Sequence, residues 1–229
     1  GTVVANTLNS TNTNMTAAAT ITANQAVGGK AQLLIDGVVK AEDAAIAADE
    51  TAVAFTLGQT TANGLQTAVP ATLNGKTVTV KVIDAAGNET TSAVANPTIT
   101  VDYTAPTGSL SYVPSSAPAP GTSLSIIAAF SEPIADSPVM QIAISGQNTL
   151  SATSMSKTST TSYAYIHTVA NGSGAANVTF STGTDAAGNP VTAAPTAGAS
   201  FTVTNTVIPA GVYKKAAALA NINDATISG

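Results

Sequence analysis

One pentapeptide occurs twice in this sequence and limits the folds that the chain can adopt. Asp84-Ala85-Ala86-Gly87-Asn88 recurs as Asp185-Ala186-Ala187-Gly188-Asn189, 101 residues later. Each copy is preceded and followed by a β-type run, at residues 77–83 and 97–101 for the first copy and at residues 177–182 and 200–203 for the second. A repeat with matched flanks indicates a duplicated structural unit, and a period of about 100 residues fits one β-sandwich.

The remaining sequence predicts an all-β fold. Short runs rich in Val, Ile and Thr recur every 8–12 residues or so between Gly, Asn and Pro turns, as in antiparallel sandwiches. We predict two tandem immunoglobulin-like (Ig-like) β-sandwich domains with short terminal extensions. The predicted boundaries are an N-terminal extension at 1–14, a first domain at 15–102, a linker at 103–107, a second domain at 108–204 and a C-terminal extension at 205–229.

Charge and cysteine content exclude several kinds of partner. The chain has 12 acidic residues and 7 lysines, with no arginine and a pI near 4.5, which argues against nucleic acid. No apolar run approaches the ~18 residues of a membrane span, so we predict no membrane insertion. Cysteine is absent, so no disulfide is expected. The N-terminus lacks the pattern of a signal peptide, and we expect any such peptide to precede it.

Acidic and amide side chains near the end of the first unit indicate a calcium site. Asp84, Asn88 and Asp102 offer the hard oxygen ligands that Ca²⁺ prefers. The alternative is that Asp84 and Asn88 only shape a turn in which Gly87 takes a positive φ. Further along the chain, Glu132 and Asp136 form a second acidic pair, which could make an oxygen cage with Asp185. Nothing in the sequence shows that the three converge, and we expect solvated loops there.

The aromatic side chains and the single histidine lie on one strand. Tyr163, Tyr165 and His167 alternate in sequence and therefore share a face of the sheet. The two tyrosines could stack on a sugar, although cross-strand packing explains them as well. His167 has no Gly-x-Ser-x-Gly elbow to work with, and one histidine without cysteine cannot build a zinc site of the common kinds. We therefore predict no enzymatic activity.

Both ends of the chain carry segments that the predicted sandwiches do not use. Residues 204–209 stand where residues 102–106 stand in the first unit, and residues 1–12 precede the first predicted strand. One interpretation is a pair of frayed termini. The other is that an end adds a strand to a neighbouring copy, with the tail as the better donor. Residues 213–220 also have the composition of a short helix. The residues predicted to take part in such assembly are Thr2, Val3, Val4, Val207, Ile208, Val212 and Tyr213.

These features carry a family resemblance. The turn Asp-x-x-Gly-Asn, the segment 101–106 (Val-Asp-Tyr-Thr-Ala-Pro), the run 33–37 (Leu-Leu-Ile-Asp-Gly) and the run 130–133 (Phe-Ser-Glu-Pro) resemble bacterial Ig-like domains. Such domains occur in tandem in surface-layer proteins and large adhesins. The resemblance implies an extracellular, cell-surface setting without catalysis. It also implies a joint aspartate that helps to bind calcium, and Asp102 matches that position.

Three functions follow as hypotheses. The first is a structural subunit of a surface layer or filament, with copies of the same chain as partners. The second is a stalk segment of an adhesin that calcium stiffens at Asp102. The third is a glycan-binding module that uses Tyr163 and Tyr165 and has surface glycans as partners.

Overall fold

The computed structural model describes residues 3–58, 70–92, 98–114 and 118–205, with side chains left out at 58, 70 and 71. The described elements of the N-terminal region are β1 (Thr7–Leu8), β2 (Asn14–Thr20), β3 (Lys30–Ile35), β4 (Val38–Asp43), β5 (Ala52–Gly58), α1 (Pro70–Leu73), β6 (Val78–Ile83), β7 (Glu89–Thr91) and β8 (Thr100–Val101). Those of the C-terminal region are β9 (Gly108–Val113), β10 (Ser123–Phe130), β11 (Gln141–Gly146), β12 (Leu150–Ser154), β13 (Ser156–Lys157), β14 (Ser162–Thr168), β15 (Gly174–Thr182) and β16 (Ser200–Val203).

The C-terminal region is a β-sandwich. Its two four-stranded sheets have the orders β13-β14-β10-β9 and β12-β11-β15-β16. Alternate residues of β10 point inward, so Leu124, Ile126 and Ala128 are fully buried. Val178 and Phe180 of β15, in the other sheet, belong to the same buried cluster. The all-β fold class predicted from the sequence is confirmed.

The N-terminal region has the same kind of strands but a less complete pair of sheets. One sheet has four strands in the order β4-β3-β6-β7, whereas the strands opposite form two separate pairs, β2-β5 and β1-β8. The β3–β4 hairpin turns at Asp36 (φ 53°) and Gly37 (φ 77°), as expected for a two-residue Asp-Gly loop. Leu33, Val53 and Leu57 are among the most deeply buried residues of a second cluster, which is separate from the first. The division into two domains with the boundaries given above stays a prediction.

The N-terminal segment has a partner within its own region. Thr7 and Leu8 pair in parallel with Thr100 and Val101, and Leu8 is buried in the core. The expectation that residues 1–12 lack a partner there is therefore wrong for Thr7–Leu8. These two residues form a strand of their own before β2 begins, and that strand pairs with β8. Among the described residues, no helix has the length and apolar character needed to cross a membrane.

Candidate functional site

The two copies of the pentapeptide form the same turn. In the first, one carboxylate oxygen of Asp84 accepts a hydrogen bond from Asn88 N and the other from Asn88 Nδ2, both at 2.8 Å. In the second, Asp185 accepts the same two bonds from Asn189 at the same distances. The pKa of the Asp84 carboxyl is lowered, first by its hydrogen bond from the Asn88 side chain. Both Asp-Asn pairs thus close the turn on themselves, as the turn interpretation predicts.

The surroundings of the two turns differ. Residues 85–89 of the first turn are exposed, whereas Asn189 of the second is fully buried. Ser10 N donates to Asn189 Oδ1 at 2.7 Å, and Asn189 Nδ2 donates to the Asp102 carbonyl at 3.0 Å. Asn9 Nδ2 donates to the Ala187 carbonyl at 2.8 Å. We call this set of contacts between the N-terminal and C-terminal regions the joint.

The Asn9 side chain is held on the N-terminal side of the joint. Its Oδ1 accepts hydrogen bonds from Thr11 N at 2.9 Å and from Thr11 Oγ1 at 2.8 Å, and its backbone N donates to Asn12 Oδ1 at 2.6 Å. Asn9 is itself fully buried. The loop that follows β1 therefore holds Asn9 in the position from which it binds the second turn. Sequence reasoning missed Asn9, because its receptor role depends on a turn that lies almost 180 residues away.

Three carboxylates converge beside the joint. Oxygens of Asp102, Glu132 and Asp185 all lie within 4.8 Å of one another. The structure therefore groups Asp102 with Glu132 and Asp185 rather than with Asp84 and Asn88. Burial and, after it, the charges of Asp185 and Asp102 raise the pKa of Glu132.

The expectation of solvated loops is wrong for part of this acidic set. Asp185 is 3% exposed and Glu132 is half-buried, because the second turn packs against the N-terminal region. Asp136 does follow the expectation, since it is exposed and forms a salt bridge with Lys157 at 2.5 Å.

The carboxylate cluster fits calcium by charge and by atom type. Three carboxylates place up to three negative charges within a few ångströms, and Ca²⁺ prefers such oxygens. The oxygens also serve the protein, since Asp185 holds Asn189 and Asp102 Oδ1 accepts a bond from Thr104 N at 2.9 Å. A carboxylate oxygen has a second lone pair, so these bonds leave room for a cation.

The predicted aromatic pair lies largely in the core. Tyr163 is 3% exposed and meets Phe130 edge-on, with 5.9 Å between the ring centroids. Tyr165 is half-buried against the same cluster. The shared face was predicted correctly, but it faces inward, so Tyr163 has no open ring face for a sugar.

His167 has a structural environment as well. It is buried, its Nε2 lies 2.8 Å from the amide oxygen of Asn148, and burial lowers its pKa. Its neighbour is thus a carboxamide, whereas a Ser-His-Asp triad requires a serine hydroxyl and a carboxylate.

An open sheet edge is the second notable site. In the C-terminal region β10 pairs with β14 on one side and with β9 on the other. The corresponding strand β2 pairs with β5, and within the described ranges no strand pairs with its other edge. The equivalence of the two strands is supported at their ends, where Ile21 N donates to Thr51 O and Phe130 N donates to Thr161 O, both at 2.9 Å.

A groove of about 1330 Å³ runs along this edge. Its walls come from the N-terminal segment, β2, β6 and β7, and its apolar lining includes Met15, Ala17, Ala19, Val78 and Val82. Met15, Ala17 and Ala19 are half-buried, whereas their counterparts on β10 are fully buried. The β2 side chains are less buried because no strand among the described residues covers them.

The residues predicted to take part in assembly are described only in part. Val3 is 84% exposed and Val4 is half-buried, and both line the groove. Thr2, Val207, Ile208, Val212 and Tyr213 lie outside the described residues.

Comparison with known proteins finds a similarity among solved structures. No protein-family model matches this sequence, and no curated protein matches it. Among solved structures, the fibronectin(III)-like modules of Clostridium thermocellum CbhA resemble it, with 11% sequence identity and a TM-score of 0.42. The similarity covers 87% of this chain and 88% of that one. The fold assignment rests on the sheets described above.

Proposed function

We propose that this chain is a non-catalytic, extracellular structural protein, a subunit of a cell-surface layer or filament that assembles head to tail by strand addition. The observation that carries the proposal is the open edge of β2. The same position in the other sandwich is filled by β9. As far as residues 3–58, 70–92, 98–114 and 118–205 show, the N-terminal region is thus an acceptor that lacks one strand.

The open edge has two unsatisfied requirements that an added strand meets. Backbone N–H and C=O groups on an unpaired strand seek partners, which is why exposed edges promote association. The half-buried apolar side chains Met15, Ala17 and Ala19 also lose water contact when a strand covers them. Strand addition satisfies both at once.

The joint supports a mechanical role. A flexible linker would carry tension through one covalent strand, whereas the Asn9 and Asn189 contacts tie the two regions together at several points. Because these groups are buried, pulling them apart exposes unpaired polar atoms at a cost. The cell-surface location is part of the proposal and rests on the resemblance to bacterial Ig-like domains.

Self-assembly is the property to test. The full chain is examined over a hundredfold range of concentration by sedimentation velocity and by negative-stain electron microscopy. We expect species that grow with concentration and regular filaments or sheets in the images. Dispersed two-lobed particles of monomer mass at every concentration would overturn the proposal.

The carboxylate cluster favours a second candidate function, a calcium-stiffened stalk. Asp102, Glu132 and Asp185 would hold the ion, which would supply positive charge between three carboxylates and lock the joint. The test is thermal unfolding and titration calorimetry with Ca²⁺ and with Mg²⁺. Stabilisation by Ca²⁺ that is weakened in Asp102→Asn supports the candidate, and an equal response of both proteins removes it. Glycans are not part of the proposal, because Tyr163 is buried.

A further inference from the structure

The strand β9 shows what an acceptor edge of this fold receives. Its residues pair with β10 in antiparallel register, so that Gly108 faces Phe130 and Leu110 faces Ala128. Gly108 and Leu110 are buried, whereas Ser111 between β9's inward positions is exposed. A Cβ on Gly108 would come within 2.7 Å of the Phe130 and Phe180 rings, so this position requires glycine. The pattern of the filling strand is glycine, then a large apolar residue two positions later.

The tail of the chain repeats this pattern at the same distance from its own sandwich. Pro106 and Gly108 follow Asp102 by four and six residues, and Pro209 and Gly211 follow Asn205 by the same spacings. Tyr213 then stands where Leu110 stands, and Lys214 stands where the exposed Ser111 stands. The tail therefore repeats the residue spacing of the linker and the β9 strand.

The groove offers matching positions. Because Ile21 corresponds to Phe130, Ala19 corresponds to Ala128 in the register along β2. A strand paired as β9 is would place Gly211 beside Ile21 and Tyr213 beside Ala19. The acceptor residue opposite the large apolar side chain is alanine in both cases, Ala128 opposite Leu110 and Ala19 opposite Tyr213.

Chain geometry decides which copy supplies the strand. The described chain ends where Thr204 N donates to Pro118 O and Asn205 N donates to Ser173 Oγ, at the end of the C-terminal sandwich opposite to the joint. The six Cα–Cα steps from Asn205 to Gly211 reach at most ~22 Å. The eight residues of β10 alone span ~26 Å between that end and the joint, and the groove lies beyond the joint. In this register the tail cannot reach its own groove.

We infer that residues 211–215 of a second copy fill the open edge of β2 in the register in which β9 pairs with β10. The inference rests on the proposed head-to-tail assembly and names its contact. The partner is a copy of this chain, and its tail repeats between molecules the connection that residues 103–113 make within one.

Single cysteines test the contact directly, because the natural chain has none. One full-length variant carries Ala19→Cys and another carries Tyr213→Cys, and the two are mixed under mild oxidation. Directly opposed strand residues lie close enough for a disulfide. We expect a disulfide-linked heterodimer on a non-reducing gel. Lys214→Cys is the matched control, since its side chain points away from Ala19, and we expect at least tenfold less product.

Two outcomes would overturn the inference. A chain that carries both cysteines and closes on itself, in dilute solution and with no cross-linking between mixed chains, would place the tail in its own groove. Filaments of the natural chain that persist unchanged in Tyr213→Ser, with no cross-link between the mixed cysteine variants, would place assembly on another surface. In that second case the proposed function survives while the inferred contact does not. We expect Tyr213→Ser to reduce assembly at least tenfold and Lys214→Ser to preserve it.

Discussion

At the scale of single residues, identical side chains do different work in the two turns. Asn88 and Asn189 both bond to the aspartate four positions earlier, at the same distances. Only Asn189 is also bonded to the other region, through Ser10 N and the Asp102 carbonyl. The pair is therefore an internal control, because it separates the energy of the turn from that of the joint.

Replacing each of these asparagines by alanine measures the joint. We expect Asn189→Ala to lower the free energy of unfolding by ~1–3 kcal/mol more than Asn88→Ala does, because it removes a fully buried amide that bonds to Ser10 N and to the Asp102 carbonyl. Denaturant unfolding followed by circular dichroism gives both values. Equal losses would mean that the contacts across the joint contribute nothing net.

Glu132 makes stability depend on pH in an unusual direction for a carboxylate. Its pKa is raised by burial and by Asp185 and Asp102, so the folded protein holds this proton more tightly than the unfolded chain does. The contribution to stability is then present below the ordinary pKa of 4.5 and is lost as pH rises through the raised pKa. We expect Glu132→Gln to be more stable than the natural protein at about pH 7 in a chelator.

The gain in Glu132→Gln should vanish at about pH 3, where the natural side chain is protonated in both states. The matched control is Asp136→Asn on the same loop, which loses an exposed salt bridge and should lower stability slightly, by less than ~1 kcal/mol. Thermal unfolding across the pH range measures both proteins. A gain in Glu132→Gln that is equal at every pH would contradict the assigned cause.

At the scale of elements, β9 can pack against the core because one of its residues has no side chain. Gly108 lets this edge strand approach the rings of Phe130 and Phe180. Two sheets that pack about 10 Å apart leave no space for a further methyl group at this point. The strand thus covers one edge of the sandwich.

Gly108→Ala tests this close packing of β9 against the two rings. We expect a loss of ~1–3 kcal/mol in the free energy of unfolding, because the added carbon must displace two buried rings. Ser109→Ala, one position along on the same strand, should change stability by less than ~1 kcal/mol, since its hydroxyl makes only a 3.5 Å contact with the Ala129 carbonyl. Similar losses in the two variants would indicate that the strand, and not the glycine, is sensitive.

The elements could be predicted from sequence wherever side chains alternate strictly. The inward set of β10 and the Asp36-Gly37 hairpin are local patterns of this kind, since both can be read from a few neighbouring residues. The pairing of β1 with β8 joins residues more than 90 positions apart in two-residue strands, which leave too few side chains for a pattern. Tyr163 has an amphipathic side chain, so alternation gave its face but not whether that face was wet.

The carboxylate cluster could be predicted only in part for the same reason. Asp102 was singled out because it ends a strand at the predicted linker. Glu132 and Asp185 come from loops that meet it only after the second turn docks against the Asn9 loop. No spacing in the sequence encodes that docking, since it depends on how the two regions sit together.

At the scale of the whole molecule, we expect the joint to limit how far the two regions move relative to each other. Asn9 is central to it, since it is buried, braced by Thr11 and bonded to the second turn. Small-angle X-ray scattering reports such motion through the distribution of distances in the particle. The measurement uses Tyr213→Ser as background, because it is expected to be monomeric.

In that background we expect one conformer to fit the scattering profile, whereas adding Asn9→Ala should require a broader set that extends to larger bend angles. Losing the amide removes the bond to the Ala187 carbonyl and leaves buried polar atoms to be solvated by opening. Asn24→Ala is the control, since it removes an exposed side-chain bond to Asp49 within the N-terminal region. Identical profiles for the three proteins would show that the joint does not depend on Asn9.

The open edge of β2 also has a kinetic consequence. In a polymer built by donated strands, one terminus always presents an empty groove and the other always presents an undonated tail. The two termini are chemically distinct, so growth has a fixed polarity and can be blocked from either side by a different agent. A short peptide with the tail sequence would cap the groove terminus, and a chain without its tail would cap the other. Folding of the last acceptor then depends on protein concentration, since its final strand arrives only with the next molecule.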